Sequence, residues 1–86
     1  MEVTGKIKFV GVTEQVSESF TKRLVVVETD EQYPQPIPIE FVKDKTSLLD
    51  GYKSGQTVKV LINLRGNEYN GRYYVTLQGW RIEKQG

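Results

Sequence analysis

The chain of 86 residues contains no cysteine and no histidine. The missing cysteines exclude disulfides and thiolate nucleophiles, and the missing histidines exclude imidazole bases. The two absences together exclude the usual zinc sites. Neither Ser17 nor Ser54 has a histidine to activate it, and no glycine-rich phosphate loop is present. We therefore expect a protein that is not an enzyme and that uses no metal or other cofactor.

Long apolar runs are also missing. Residues 1–6 lead directly into an alternating pattern, without the apolar stretch of a signal peptide, and no span of about 18 apolar residues follows. Because a chain without cysteine also suits a reducing compartment, we expect a cytoplasmic, unanchored protein. A chain of this length buries only roughly 60 to 65% of its unfolded surface, so residues 1–86 are expected to form a single domain around one core.

The chain also lacks a large excess of positive or negative charge, because its formal net charge is only +1. Its distribution is uneven, however. Residues 1–52 contain six basic and nine acidic side chains, a net charge of −3, whereas residues 53–86 contain six basic and two acidic side chains, a net charge of +4. This asymmetry allows one basic face on a nearly neutral protein, although a chain this short can also acquire it by chance.

Alternation of apolar and polar residues predicts the first strands. Residues 2–9 alternate as a half-buried strand, and the apolar phase slips by one residue around Gly11, where we predict a bulge or a bend. Residues 13–19 are predicted to form a turn, and residues 20–29 a second strand with apolar side chains on both faces. Residues 36–41 begin a third strand, whose Pro36 and Pro38 require an edge or an unpaired N–H side.

The second half predicts a short helix and a hairpin. Thr46 or Asp44 is a candidate N-cap for a helix at residues 47–50, which Gly51 would end. Residues 56–64 alternate, with Val58, Val60, Ile62 and Leu64 predicted to point inward. Asn70 and Gly71 form the strongest hairpin signal in the chain. In the fifth strand, residues 72–83, Tyr73, Val75 and Leu77 share a face, and Gly79 marks a second bulge.

Three strands, a short helix and a final hairpin follow the element order of the OB fold. Residues 48–60 (LLDGYKSGQTVKV) resemble the helix, turn and fourth-strand start of many OB domains, and the hairpin at residues 67–80 resembles that of bacterial single-stranded-DNA-binding proteins. The whole chain is similar to a family of small, uncharacterised bacterial single-domain OB-fold proteins through KRLVVVET at 22–29, YPQ at 33–35 and NGRYYVTLQGW at 70–80. The expected fold is thus all-β, a five-stranded OB-type Greek-key barrel with one short helix between strands 3 and 4.

Single-stranded nucleic acid is bound by aromatic faces for the bases and cations for the phosphates, arranged along one groove. The final hairpin offers both in Arg65, Tyr69, Arg72 and Tyr74. In a regular strand Tyr74 points away from Tyr73, Val75 and Leu77, which makes it a candidate base platform. Exposed tyrosines are also common on barrels, so a purely structural interpretation stands beside this one.

Four further residues complete the candidate set. Lys22 and Arg23 open the second strand, where alternation allows only one of them to face a groove. Tyr33 follows an acidic run at residues 28–31 that repels phosphate, and it either binds or packs against Pro34. Trp80 follows the second bulge, and for a lone tryptophan in a small barrel a core position is expected more often than a stacking platform. Phe9, Phe20, Phe41 and Tyr52 are expected in the core or as plugs at the ends of the barrel.

These residues predict binding of single-stranded nucleic acid with little sequence preference, with DNA as the first candidate ligand and RNA as the second. The alternative is a protein-interaction or assembly module that uses the edge at residues 36–42 or the outer apolar residues of the second strand. One of the pairs Leu24 and Val26 or Val25 and Val27 must face away from the core. We therefore also expect a homo-oligomer, with the dimer as its first candidate.

Overall fold

The computed structural model describes residues 1–85, which form six strands and one short helix. In chain order the elements are β1 (Glu2–Val10), β2 (Glu14–Ser17), β3 (Phe20–Thr29), β4 (Pro36–Val42), a 3-10 helix (Lys43–Leu49), β5 (Thr57–Tyr69) and β6 (Arg72–Lys84). The sheet order is β1-β5-β6-β4-β3-β2, and an additional pairing of β1 with β3 closes a ring. Five strands thus form the barrel, with the helix between β4 and β5. This confirms the OB-type Greek-key barrel expected from the sequence.

The short strand β2 is the element that the sequence did not predict. It lies within the predicted turn at residues 13–19 and pairs with the beginning of β3, from Glu14 opposite Lys22 to Ser17 opposite Phe20. All four of its residues are exposed. A strand without a buried face has no apolar alternation, so the residue pattern of this segment predicts a turn instead of a strand.

The bulge in β1 occurs earlier than predicted. The register with β3 shifts between Ile7 and Phe9, so Lys8 is the extra residue rather than Gly11. The Lys8 carbonyl accepts a hydrogen bond from the Ser54 hydroxyl at 3.1 Å, which satisfies an oxygen that has left the ladder. The shift leaves Ile7 in the core and turns Phe9 outward, where it is 53% exposed. The expectation that Phe9 belongs to the core is therefore wrong.

The second predicted bulge, at Gly79, is confirmed. The register of β5 with β6 shifts between Leu61 and Ile62, so Trp80 is the extra residue. Gly79 lies against the ring of Phe41, and a Cβ atom at this position would be 2.5 Å from ring carbons. The close approach of Phe41 therefore requires glycine here.

The core lies inside the barrel and is closed at one end by the helix. Phe41 is fully buried, Tyr52 packs against the core, and Phe20 is half-buried. The pair Val25 and Val27 points inward, which leaves Leu24 and Val26 on the outer surface, half-buried. The buried apolar residues are Ile7, Val25, Val27, Ile39, Phe41, Leu49, Val58, Val60 and Ile62.

The helix is longer and begins earlier than predicted. It starts at Lys43, directly after Val42, and no side chain caps its first turn, so neither Thr46 nor Asp44 is its N-cap. Thr46 is buried instead, and its hydroxyl donates a hydrogen bond to the Lys43 carbonyl at 3.0 Å. In the part of the chain described, no helix has the length and hydropathy to cross a membrane.

Strand β4 pairs with β3 along its whole length and with β6 only through Glu40 opposite Gln78. Because proline has no N–H group, Pro36 and Pro38 fit only where that group would point away from β3. This agrees with the predicted unpaired N–H side. The bridge between β4 and β6 is parallel, so β4 begins at the end of the barrel from which the hairpin of β5 and β6 extends.

Candidate nucleic-acid interface

Strands β5 and β6 continue beyond the barrel as a two-stranded hairpin. The pairing of β1 with β5 ends at Glu2 opposite Leu61, whereas β5 and β6 stay paired up to Tyr69 opposite Arg72. Asn70 and Gly71 form the turn with φ values of 52° and 76°, as a type I′ turn requires. The predicted hairpin is confirmed, and we refer to residues 63–78 as the arm.

One face of the arm carries all four hairpin residues that the sequence singled out. Tyr69 lies opposite Arg72, Tyr74 lies opposite Asn67, and Arg65 lies opposite Thr76. Because opposite residues in a sheet share a face and alternate residues return to it, Arg65, Tyr69, Arg72 and Tyr74 all project to the same side. We call this side the basic-aromatic face.

The side chains of this face are accessible. Tyr69 is 66% exposed and Tyr74 is 47% exposed. Within residues 1–85, neither Arg65 nor Arg72 forms an ion pair. The face therefore combines two available guanidinium groups with two available aromatic rings, which is the chemistry required for phosphates and bases.

The opposite face of the arm is mostly apolar, with Glu68 opposite Tyr73 near the turn, and one of its residues differs from the sequence prediction. Tyr73, Val75 and Leu64 are 80%, 74% and 55% exposed, although Leu64 was expected inside the barrel. These residues belong to the rows of β5 and β6 that face inward within the barrel. They lie beyond Leu61, where the pairing of β5 with β1 stops, so no strand covers them. The sequence contains one signal for this exposed position of Leu64. The alternating segment 56–64 and the hairpin that follows it are together longer than the first strand, so the first strand cannot cover them completely. A groove of about 360 Å³ adjoins this face and is lined by Leu24, Ile37, Pro38, Glu40, Val75, Thr76 and Leu77.

Trp80 lies at the surface, so the expectation of a core position is wrong. It is the extra residue of the β6 bulge and is 42% exposed. Gly79 still belongs to the inward row of Val75 and Leu77, so the indole points outward by alternation, and the extra residue brings Ile82 rather than Arg81 back to the core side. Trp80 is two residues beyond the base of the arm, on the barrel wall, and it points to the same side of β6 as Tyr74.

The guanidinium group of Arg23 forms hydrogen bonds within the fold. Its Nε donates to the Gly11 carbonyl at 2.8 Å, and its Nη1 donates to the Asp50 carboxylate at 2.7 Å and to the Thr46 carbonyl at 3.3 Å. Its side chain is only 17% exposed. These bonds fasten the helix and the loop after β1 to the barrel, so Arg23 is not available for a phosphate.

Lys22 and Tyr33 lie apart from the basic-aromatic face. Lys22 points outward from β3 and shares a shallow depression with Leu24 and the two carboxylates of Glu14 and Glu40. Two nearby negative charges reduce its attraction for phosphate. Tyr33 is 75% exposed in the loop between β3 and β4, so little of its ring is covered by any neighbour, Pro34 included.

The acidic loop after β3 is ordered by its own hydrogen bonds. The Gln35 N–H donates to the Thr29 hydroxyl at 2.9 Å, and the Thr29 hydroxyl bonds the Glu31 carboxylate. Within residues 1–85 no group of three or more His, Cys, Asp or Glu side chains is arranged to hold a metal ion.

The fold and the arm together define a class: a small OB-barrel domain with an extended hairpin between its last two strands. More particularly, the chain belongs to the DUF3127 family, a domain of unknown function, which matches residues 2–83. No curated protein sequence is significantly similar to it.

The fold is shared by many solved structures, among them a PriB domain and a single-stranded DNA-binding protein. The dimeric N-terminal domain of PriB protein from Thermoanaerobacter tencongensis is 18% identical, with a TM-score of 0.72 over 100% of this chain and 94% of that chain. The second single-stranded DNA-binding protein, SSBb, from Mycobacterium smegmatis is 16% identical, with a TM-score of 0.64 over 99% of this chain and 84% of that chain.

Proposed function

We propose that this protein binds single-stranded nucleic acid, DNA in preference to RNA, through the basic-aromatic face of the arm. One observation carries the proposal: two arginines without ion pairs and two exposed tyrosines share one face of a hairpin that projects from the barrel. The likeness in fold to a protein named for binding single-stranded DNA supports this class of ligand.

The expected recognition is by stacking and by charge. A base stacked on an aromatic side chain is worth roughly 1 to 3 kcal/mol, and every base offers a π-face, so Tyr69 and Tyr74 select little by sequence. Arg65 and Arg72 neutralise phosphates, which are identical at every nucleotide. The proposed role is one of binding and not of catalysis, because the hydroxyl groups of this face have no histidine in the chain to activate them as nucleophiles.

The decisive experiment is a titration with oligo-dT, followed by the fluorescence of Trp80 at two salt concentrations. Trp80 is the only tryptophan, is partly exposed and lies close to the base of the arm. We expect its fluorescence to change on binding, with weaker binding at the higher salt concentration. Oligo-rU of the same length tests the preference for DNA. Undetectable binding of oligo-dT at low salt would refute the proposal.

The second candidate is a protein-interaction or assembly module. It is favoured by the exposed apolar face of the arm, on which Tyr73 and Val75 are largely uncovered. In this case light scattering reports an assembly while the titration with oligo-dT reports no binding. The two functions are compatible, and we propose a homo-oligomer in either case, a dimer first, as in the structure of the PriB domain.

A further inference from the structure

The arm has an open strand edge along β6. In a two-residue hairpin, Tyr69 and Arg72 form the first hydrogen-bonded pair, so the backbone groups of Arg72, Tyr74 and Thr76 point toward β5. Those of Tyr73 and Val75 point the other way. Within residues 1–85, β6 has no ladder partner on that side until Gln78 pairs with Glu40. The N–H and C=O groups of Tyr73 and Val75 therefore have no ladder partner in residues 1–85, and a groove of about 360 Å³ separates the edge at Val75 and Thr76 from Ile37 and Pro38 of β4.

The two edges of the arm differ in composition. The β5 edge carries Arg65, Gly66 and Glu68, and charges and glycine both discourage strand addition. The segment 73–78 of β6 (YYVTLQ) contains no charge, proline or glycine, and it is rich in residues that favour strands. Only the β6 edge of the arm therefore lacks protection against pairing with another chain.

We propose that two copies of this chain pair through the β6 edges of their arms, antiparallel, with the twofold axis at Tyr74. Tyr73 then lies opposite the partner's Val75, and Val75 lies opposite the partner's Tyr73. Each of these pairs exchanges two backbone hydrogen bonds, because both residues present their open groups to the partner. The pairing spans residues 72–76 and stops before Gln78, which is already bridged to Glu40.

The segment is complementary to itself, which is why a second copy is the occupant. Two cross-strand pairs form, each between a Tyr73 and a Val75. A pair of an aromatic and a β-branched residue stabilises an antiparallel sheet by roughly 0.2 to 1 kcal/mol. Arg72 lies opposite the partner's Thr76, so no like charges meet. The pairing covers part of the exposed surface of Tyr73 and Val75, which are 80% and 74% exposed in the single chain.

Pairing in this way creates a four-stranded ribbon. One side of the ribbon carries the basic-aromatic faces of both copies, with Tyr74 next to the partner's Tyr74 on the axis. A single strand of nucleic acid then runs from one copy to the other. This consequence rests on the proposed function, whereas the pairing itself does not.

A single engineered cysteine tests the geometry, because the chain has none of its own. Tyr74 lies on the axis as a pair without hydrogen bonds, for which the Cα atoms are about 4.5 Å apart, within the range of a disulfide. We expect Y74C to form a disulfide-linked dimer rapidly under mild oxidation in dilute solution. The matched control is V12C, since Val12 is 79% exposed and precedes β2, away from the arm.

Light scattering of the wild type and of V75P supplies the second test. The wild type should have twice the chain mass of 9.9 kDa at high micromolar concentration. In V75P the proline removes an N–H group that points away from β5, so the hairpin stays intact while the dimer is lost. Circular dichroism verifies that V75P is folded.

A monomeric wild type, a folded V75P that remains dimeric, or a Y74C that links no faster than V12C would each overturn the pairing. None of these results depends on nucleic acid, so failure of the pairing is distinguished from failure of binding.

Discussion

At the scale of single residues, the two arginines of the basic-aromatic face should determine how binding depends on salt. Arg65 and Arg72 have no ion-pair partner in residues 1–85. If each neutralises one phosphate, R65A/R72A reduces the slope of log K against log salt by about 1.4, at roughly 0.7 per phosphate for single strands. The slope is measured by titration with oligo-dT at several salt concentrations.

Arg81 provides the matched control for this change. Its Nε donates to the Glu83 carboxylate at 2.9 Å, on the barrel wall outside the arm. R81A should therefore leave the salt slope close to that of the wild type. A folded R65A/R72A variant with unaltered affinity and slope would remove the arm from the binding site.

Tyr74 should contribute by stacking rather than by charge. Replacing it with alanine is expected to weaken binding of oligo-dT by roughly 1 to 3 kcal/mol and to leave the salt slope nearly unchanged. Y74F keeps the ring and should retain most of the affinity, which separates stacking from a role of the hydroxyl. If Y74A and the wild type bind equally well, this ring does not carry a base.

The candidate residues of the arm were accessible to sequence reasoning, whereas the role of Arg23 was not. The alternation around Asn70 and Gly71 involves neighbours in one hairpin, so it specifies which side chains share a face. The partners of Arg23 lie 12, 23 and 27 residues away along the chain. No local pattern encodes contacts over such distances.

At the scale of elements, the 3-10 helix should depend on Arg23 for its attachment. R23A leaves the carbonyls of Gly11 and Thr46 without this donor and removes the ion pair with Asp50. Loss of partly buried hydrogen bonds of this kind is expected to lower the free energy of unfolding by about 1 to 3 kcal/mol. Urea unfolding measures the change.

The neighbouring residue offers a control for that experiment. Lys22 points outward on the same strand, so K22A should change the free energy of unfolding by less than about 0.5 kcal/mol. R23A should also bind oligo-dT with the affinity of the wild type where it is folded. Weaker binding by folded R23A, with an altered salt slope, would contradict the structural assignment of this residue.

At the scale of the whole molecule, closure of the barrel depends on the approach of β1 to β3 at Gly5. This residue pairs with Thr29 of β3 on one side and with Val58 of β5 on the other. A Cβ atom at Gly5 would lie 1.9 Å from the Glu28 carbonyl oxygen, so G5A forces the two backbones apart. We expect a loss of roughly 3 kcal/mol or more in stability, measured by urea unfolding.

The same substitution in the arm should be harmless. A Cβ atom at Gly66 would have no other atom within 4 Å, and the φ angle of this residue is not positive. G66A should therefore unfold at nearly the same urea concentration as the wild type. Equal stability of G5A and G66A would show that β1 and β3 do not need this close contact.

The sequence by itself determined the class of fold and the content of the candidate site. The missing cysteine and histidine, the alternating strands, the Asn70 and Gly71 turn and the bulge at Gly79 all follow from residue type and local spacing. The tertiary structure alone decided three further matters: the side to which Phe9 and Trp80 point, the partners of Arg23, and the point at which β5 and β6 leave the barrel. The physical reason is that one bulged residue reverses the face of every residue after it. In addition, the burial of a strand depends on how far its neighbouring strand extends, which its own residues do not encode.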